Sequence, residues 1–362
     1  MRKISHLLLF ALLCLAFAPV NPAHAVIDAE PSQTEIDDYR DLISQDVRLA
    51  GIGYRLAKAN AAYCSQKMQY SGLILHDIAQ YADPQFIRHI FPFTQEIEIS
   101  GVVKDSPADN AGIAAGDGVI NFGDNLWQWE NHPAPTSWQK GFERLADFKQ
   151  ILRGAFNENA ALSFMLQRGV TRQQFLIKSE QVCLSEFEVS SGGNLTAGAN
   201  GIKIRISMGL MNYAPNDDEL SVVVAHEMAH NLLRHRQFLK ENGVSDGIGR
   251  IFGKSAKLRR GTEEQADRLA IWLIYNAGYD PQSAINFWIR YGKEHGQGIF
   301  TEPTHDRWKN RVKFINEEIS AIHKMKLDNE KLMDEKGFVK LDPPLLSAFR
   351  IENILDDGAQ QQ

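Results

Sequence analysis

The stretch His226-Glu227-Met228-Ala229-His230 constrains this chain more than any other. It lies in a run that reads as a helix. Asn216-Asp217-Asp218-Glu219 can cap the start and put acids at the positive end of the dipole, and Leu220, Val223 and Val224 form an apolar stripe. Histidines four apart stand one turn above each other on one face, so both imidazoles can reach one cation. Glu227, beside the first, can touch a water on that cation, and small Ala225 and Ala229 let another helix pack closely. Such a pair also suits an ordinary buried helix, so the reading depends on further donors.

Thr262-Glu263-Glu264-Gln265-Ala266-Asp267 supplies them, opening a second predicted helix that ends near Gly278, ahead of Pro281. Glu263 and Asp267 share a face: one can bind the metal while the other accepts a ligand histidine's free N–H. Two histidines, one carboxylate and an open position for water form the pattern of catalytic rather than structural zinc. With three cysteines in the chain, a cysteine-rich structural site is excluded. The run Gly201–Gly209 alternates apolar and polar residues, which predicts an edge strand able to take up an extended peptide. Gly243–Gly261, rich in Gly, Lys and Arg, reads as a loop between the two helices.

Charge narrows the partners. The 39 Lys and Arg against 45 Asp and Glu make no field for nucleic acid, and no basic tract is interleaved with aromatics. Residues 1–25 stand apart: Arg2 and Lys3, an apolar run from Leu7 to Ala18, then Ala23-His24-Ala25. That is the form of a cleaved signal peptide, with a run too short to span a bilayer comfortably. The expectation is a mature chain from about Val26 with no transmembrane span, working in the periplasm or secreted, the alternative being an uncleaved membrane anchor. Cleavage would leave Cys64 and Cys183, and two cysteines in an oxidising compartment favour a disulfide, the alternative being two buried thiols.

Ser32-Gln33-Thr34-Glu35 has the form of a capping box and opens an amphipathic helix, predicted to run to about Tyr63. From 64 to 183 the texture changes to short apolar runs broken by Gly, Pro and Asp. Glu96–Lys104 reads as a strand, Phe142–Arg153 as a helix, and Ala161–Gln167 with Gln174–Lys178 as a hairpin about Gly169. Ser106-Pro107-Ala108-Asp109-Asn110-Ala111-Gly112-Ile113, followed by Gly116-Asp117-Gly118-Val119-Ile120, resembles a PDZ domain of the bacterial protease-associated type. By that resemblance Gly72, Leu73 and Ile74 receive a peptide's C-terminal carboxylate; an ordinary buried strand is the other reading. Trp127–Trp138 looks like an enlarged loop. Cys64 and Cys183 bracket the segment and are expected to staple its base.

Thr304-His305, with Arg311 beyond, completes a wider pattern. Residues 32–63 and 184–320 resemble the HtpX/BepA-like family of gluzincin metallopeptidases, in its soluble periplasmic branch. That family carries His-Glu-x-x-His, Glu-x-x-Ala-Asp, and Ser/Thr-His-Pro ahead of an arginine; here Asp306 stands where proline is usual. The resemblance implies one Zn2+ per chain on His226, His230 and Glu263, Glu227 as general base, Asp267 behind the ligands, and His305 and Arg311 near the active centre. His305 would stabilise the oxyanion, or occupy the open position and hold the enzyme latent. The implied fold is α+β: a mainly helical gluzincin domain (26–63 and 184–325) with a small edge-stranded sheet, a β-rich PDZ-like insertion (64–183), and a tail from 326 to 362. The implied activity is endopeptidase action on envelope or misfolded proteins. The alternative is a PDZ-type peptide-binding chaperone or assembly factor with a mainly structural zinc site.

Overall fold

The computed structural model describes residues 30–244, 253–295, 308–329 and 341. The predicted signal peptide, His305 with its neighbours, and nearly all of the predicted tail lie outside the described residues. Ser32 caps α1 (Gln33–Ala59), with both halves of the capping box formed with Glu35. The helix ends four residues short of Tyr63, where Asn60 turns its side chain back onto the Leu56 carbonyl.

Then come β1 (Lys67–Tyr70), β2 (Leu73–Asp77), α2 (Pro84–Ile90), β3 (Ile97–Val102), α3 (Pro107–Asn110), β4 (Gly118–Phe122), α4 (Trp138–Glu158), β5 (Ala161–Arg168), β6 (Thr171–Lys178) and β7 (Glu180–Cys183). Strands β2 to β6 make a five-stranded antiparallel sheet in sequence order. The chain enters and leaves residues 64–183 at one point, because β1 pairs with β7 beside a Cys64–Cys183 disulfide. The sheet and α4 enclose a core of their own, including Ile97, Ile99, Phe122, Phe148 and Phe164. Helix α4 is longer at both ends than the predicted Phe142–Arg153: Ser137 caps it, and its inward stripe runs on to Phe156. The Trp127–Trp138 loop has a packing role, since Trp127 is fully buried in that core against Phe148 and stacks on His132.

Next are β8 (Glu186–Ser190), β9 (Ala197–Ala199) and β10 (Lys203–Ser207), in the order β8-β10-β9. This corrects the expected edge strand: the alternating run at β10 is the central strand, parallel to β8 and antiparallel to β9. Alternation reports that one face is buried, not that one edge is free. Ile204 and Ile206 face the core while Lys203 and Arg205 reach Glu188 across the outer face.

The helices α5 (Met208–Tyr213), α6 (Asp217–Leu232), α7 (His235–Glu241), α8 (Gly253–Asn276), α9 (Gln282–His295) and α10 (Trp308–Asp328) complete the fold, which is α+β. Asn216 caps α6 by accepting from Glu219 N. Helix α8 begins at Gly253, not at Thr262, so part of the expected 243–261 loop is helical and Glu263 stands well inside the helix. The basic stretch Lys254–Arg260 contains no helix breaker, so the helix runs back past Thr262 to Gly253. Leu220, Val223, Val224, Ala225 and Ala229 of α6 meet Ala266, Leu269 and Ala270 of α8 in the main core. Among the described residues no helix is long and apolar enough to cross a membrane.

Candidate metal centre

Helices α6 and α8 pack on alanines, and that close approach brings three donors together. His226 Nε2 lies 3.2 Å from a Glu263 oxygen and 3.1 Å from His230 Nε2, which is 3.5 Å from the other Glu263 oxygen. A cation with bonds of about 2.0–2.1 Å in tetrahedral geometry separates its ligand atoms by roughly 3.3–3.4 Å, so the donor set fits such an ion. Among the described residues this is the group of His, Cys, Asp and Glu side chains that converges closely enough to hold a metal.

The other ring nitrogen of each histidine is also engaged. His226 Nδ1 is 2.9 Å from Asp267 Oδ1, four residues on from Glu263 along α8. Arg311, reaching in from α10, donates through Nε to Asp267 Oδ2 at 2.6 Å and through Nη2 to Oδ1, with its guanidinium 3.5 Å over the Trp288 ring. Three links fix α10 on α8: Arg268 bonds Glu317 and Glu318, and Trp272 Nε1 donates to Glu318 at 2.8 Å. Of Glu263 and Asp267, the first therefore faces the histidines' Nε2 atoms and the second stands behind them with Arg311.

The electrostatics follow. Burial would lower the His226 pKa, but Asp267 and Glu263 outweigh it and push the ring up to about 9. Burial raises the Asp267 carboxyl, yet Arg311 and His226 together bring it below its ordinary range. Glu227 is buried on the turn that carries His226.

Two residues were missed in the sequence. His235 Nδ1 lies 2.9 Å from His230 Nδ1, and its Nε2 lies 3.0 Å from Gln265 Oε1. Burial, then the neighbouring His230, pushes the His235 pKa down to about 3. The signal available was a histidine five residues after His230. In an unbroken helix it would point elsewhere, and nothing local announced a break, since the turn residue is Arg234 rather than glycine. Gly72 directly precedes β2 and Leu73 and Ile74 open it, far along the chain from this cluster, and His305 lies outside the described residues.

Two histidines and a carboxylate on packed helices, with a glutamate beside the first histidine, are the kind of donor set that hydrolytic metal centres use. Comparison with known proteins agrees. Residues 186–247, which hold His226, Glu227 and His230 and stop short of Glu263, match Peptidase family M48. The mitochondrial metalloendopeptidase OMA1 of Schizosaccharomyces pombe is 28% identical over 138 residues, covering 32% of this chain and 41% of that protein. The protein of the same name from Arabidopsis thaliana is 27% identical over 130 residues, covering 31% and 27%. The chain thus spans less than half the length of these curated relatives. Together these similarities support a metalloprotease-type hydrolase.

Proposed function

We propose that this protein is a zinc-dependent endopeptidase with His226, His230 and Glu263 as ligands and Glu227 as general base. The observation that carries the reading is the convergence of both Nε2 atoms and the Glu263 carboxylate within hydrogen-bonding range of one another. Zinc, when bound, supplies the Lewis acidity that makes water a nucleophile near neutral pH. Glu227 takes the proton from that water on its carboxylate as the peptide carbonyl is attacked, then passes it to the leaving amine. Asp267 and Arg311 keep the His226 ring turned with Nε2 toward the ligand cluster. His305 is assigned a place near the oxyanion.

An extended substrate would add to β9 rather than β10. Among the described residues β9 pairs with β10 alone, and its residues Ala197, Gly198 and Ala199 carry no bulky side chain, with Gly198 exposed. The Asn231 side chain, directly after His230, accepts from Gly201 N at 2.7 Å and ties the β9–β10 turn to the metal helix.

Residues 64–183 are read as a PDZ-like insertion in which Gly72, Leu73 and Ile74 receive a C-terminal peptide. In support, Gly72 has φ +88° and a Cβ there would strike Ser106, while β2 is an edge strand with α4 alongside. The protein is read as working outside the reducing cytoplasm after removal of residues 1–25; the disulfide supports the oxidising compartment.

The test is cleavage of casein by the zinc-loaded protein beside Glu227→Gln. Removing the base should lower the rate by about 10²–10⁴ while leaving metal affinity nearly unchanged. Equal cleavage by both proteins would defeat the assignment.

A further inference from the structure

We infer that His235 is a positioning residue for the ligand His230, through a directed hydrogen-bond chain His230–His235–Gln265. This inference rests on the metal-centre reading above. If His230 presents Nε2 to the cation, that nitrogen carries no proton, so the ring's proton is on Nδ1. The atom 2.9 Å away is His235 Nδ1, which must then accept. A neutral imidazole that accepts at Nδ1 carries its proton on Nε2, and His235 Nε2 faces Gln265 Oε1 at 3.0 Å. Each donor thus meets an acceptor in one direction only: His230 Nδ1–H to His235, His235 Nε2–H to Gln265. The chain holds the tautomer and rotation of His230, as Asp267 does for His226 with a charged acceptor.

The backbone supplies an independent observation. Were α6 to continue, residue 235 would lie five positions on from His230, roughly 140° around the axis and unable to reach it. The helix instead ends at Leu232, and Arg234 adopts the left-handed conformation at φ 55°, ψ 36°, with no side-chain cap for α7. A non-glycine residue in this region is uncommon. Here it reverses the chain so that His235, the first residue of α7, folds back against His230 and is 1% exposed. His235 touches the far nitrogen of the His230 ring, so it is not a ligand of the same ion.

The experiment titrates the full-length apoprotein with Co2+ and follows both affinity and the visible ligand-field bands. His235→Phe keeps ring bulk and removes the acceptor; it should weaken Co2+ binding about ten- to hundredfold and shift the bands. His235→Asn restores an acceptor near the Nδ1 position and should recover most of the affinity and the native spectrum. Gln265→Leu should give a smaller loss of the same kind. Far-UV circular dichroism and thermal unfolding of each apoprotein check the fold. If the phenylalanine variant fails to fold, the contrast between near-native Co2+ binding in His235→Asn and weakened binding in Gln265→Leu carries the prediction, and its absence would overturn it. Wild-type affinity and bands in His235→Phe, or no rescue by His235→Asn, would overturn the inference and leave the metal centre standing. Absence of Co2+ binding by the wild type would overturn both.

Discussion

Asp267 has two tasks whose energies differ, and substitutions can separate them. It accepts from the His226 ring and it neutralises Arg311, which is only 3% exposed and has no water to fall back on. Truncation strands a buried guanidinium, and breaking a buried pair from one side costs about 3–5 kcal/mol. Asp267→Ala should therefore lose roughly that much stability in urea unfolding of the apoprotein. Asp267→Asn keeps an acceptor and the shape but loses the charge, so it should be less destabilising while still weakening Zn2+ by about ten- to hundredfold in chelator competition. An alanine variant as stable as wild type would mean that Arg311 finds another partner. His305→Ala tests a separate assignment. With the histidine near the oxyanion, casein cleavage should fall with zinc affinity unchanged; with the histidine as a latch, cleavage should rise.

At the scale of elements, Trp127 shows why a segment with so many short strands has an enlarged loop. The core between the five-stranded sheet and α4 is open near Phe148, and the loop folds Trp127 into it, fully buried. Trp127→Ala should cost about 3–5 kcal/mol, read as early loss of tryptophan fluorescence change on unfolding of that unit, with Co2+ binding retained. A cost below 1 kcal/mol would show that the core closes without it. Elements such as this mark the limit of what sequence could reveal. The capping box, the helix with His226 and His230, the strand at Ile97–Val102 and the hairpin about Gly169 were legible because each is written in local spacing. The centrality of β10 was not, since burying one face says nothing of lateral neighbours. Nor was the start of α8, where a charged run looked like loop. His235 was invisible because its partner is reached only through a left-handed turn at an arginine. The three donors that converge were readable in the sequence, and of the residues packed behind them Asp267 was read from helical spacing and Arg311 from the wider motif, while His235 was not.

In the molecule as a whole, α1 belongs to two cores. Its C-terminal half buries Leu49, Ile52 and Leu56 with α6 and α8, while Ile36 and Tyr39 near its start pack on the Ile78, Ile87, Ile90 and Phe93 cluster of the segment that follows. At its far end the Cys64–Cys183 bond and the β1–β7 ladder close the segment's base. The bond joins residues separated by 119 positions, and crosslinking a loop of that order restricts the unfolded chain by about 4–5 kcal/mol. Both sulfurs sit in the main core, with Cys64 6% and Cys183 0% exposed, so alanine is a better replacement than serine, whose hydroxyl would be buried there. The Cys64→Ala/Cys183→Ala protein should lose up to about 4–5 kcal/mol in urea unfolding. It should keep its Co2+ spectrum, because the ladder and α1 still fix the base in the folded state. If the spectrum changed while stability did not, the bond would be acting on the geometry of α6 and α8 rather than on the unfolded chain, and the segment from 64 to 183 would have to be treated as part of the candidate site's scaffold.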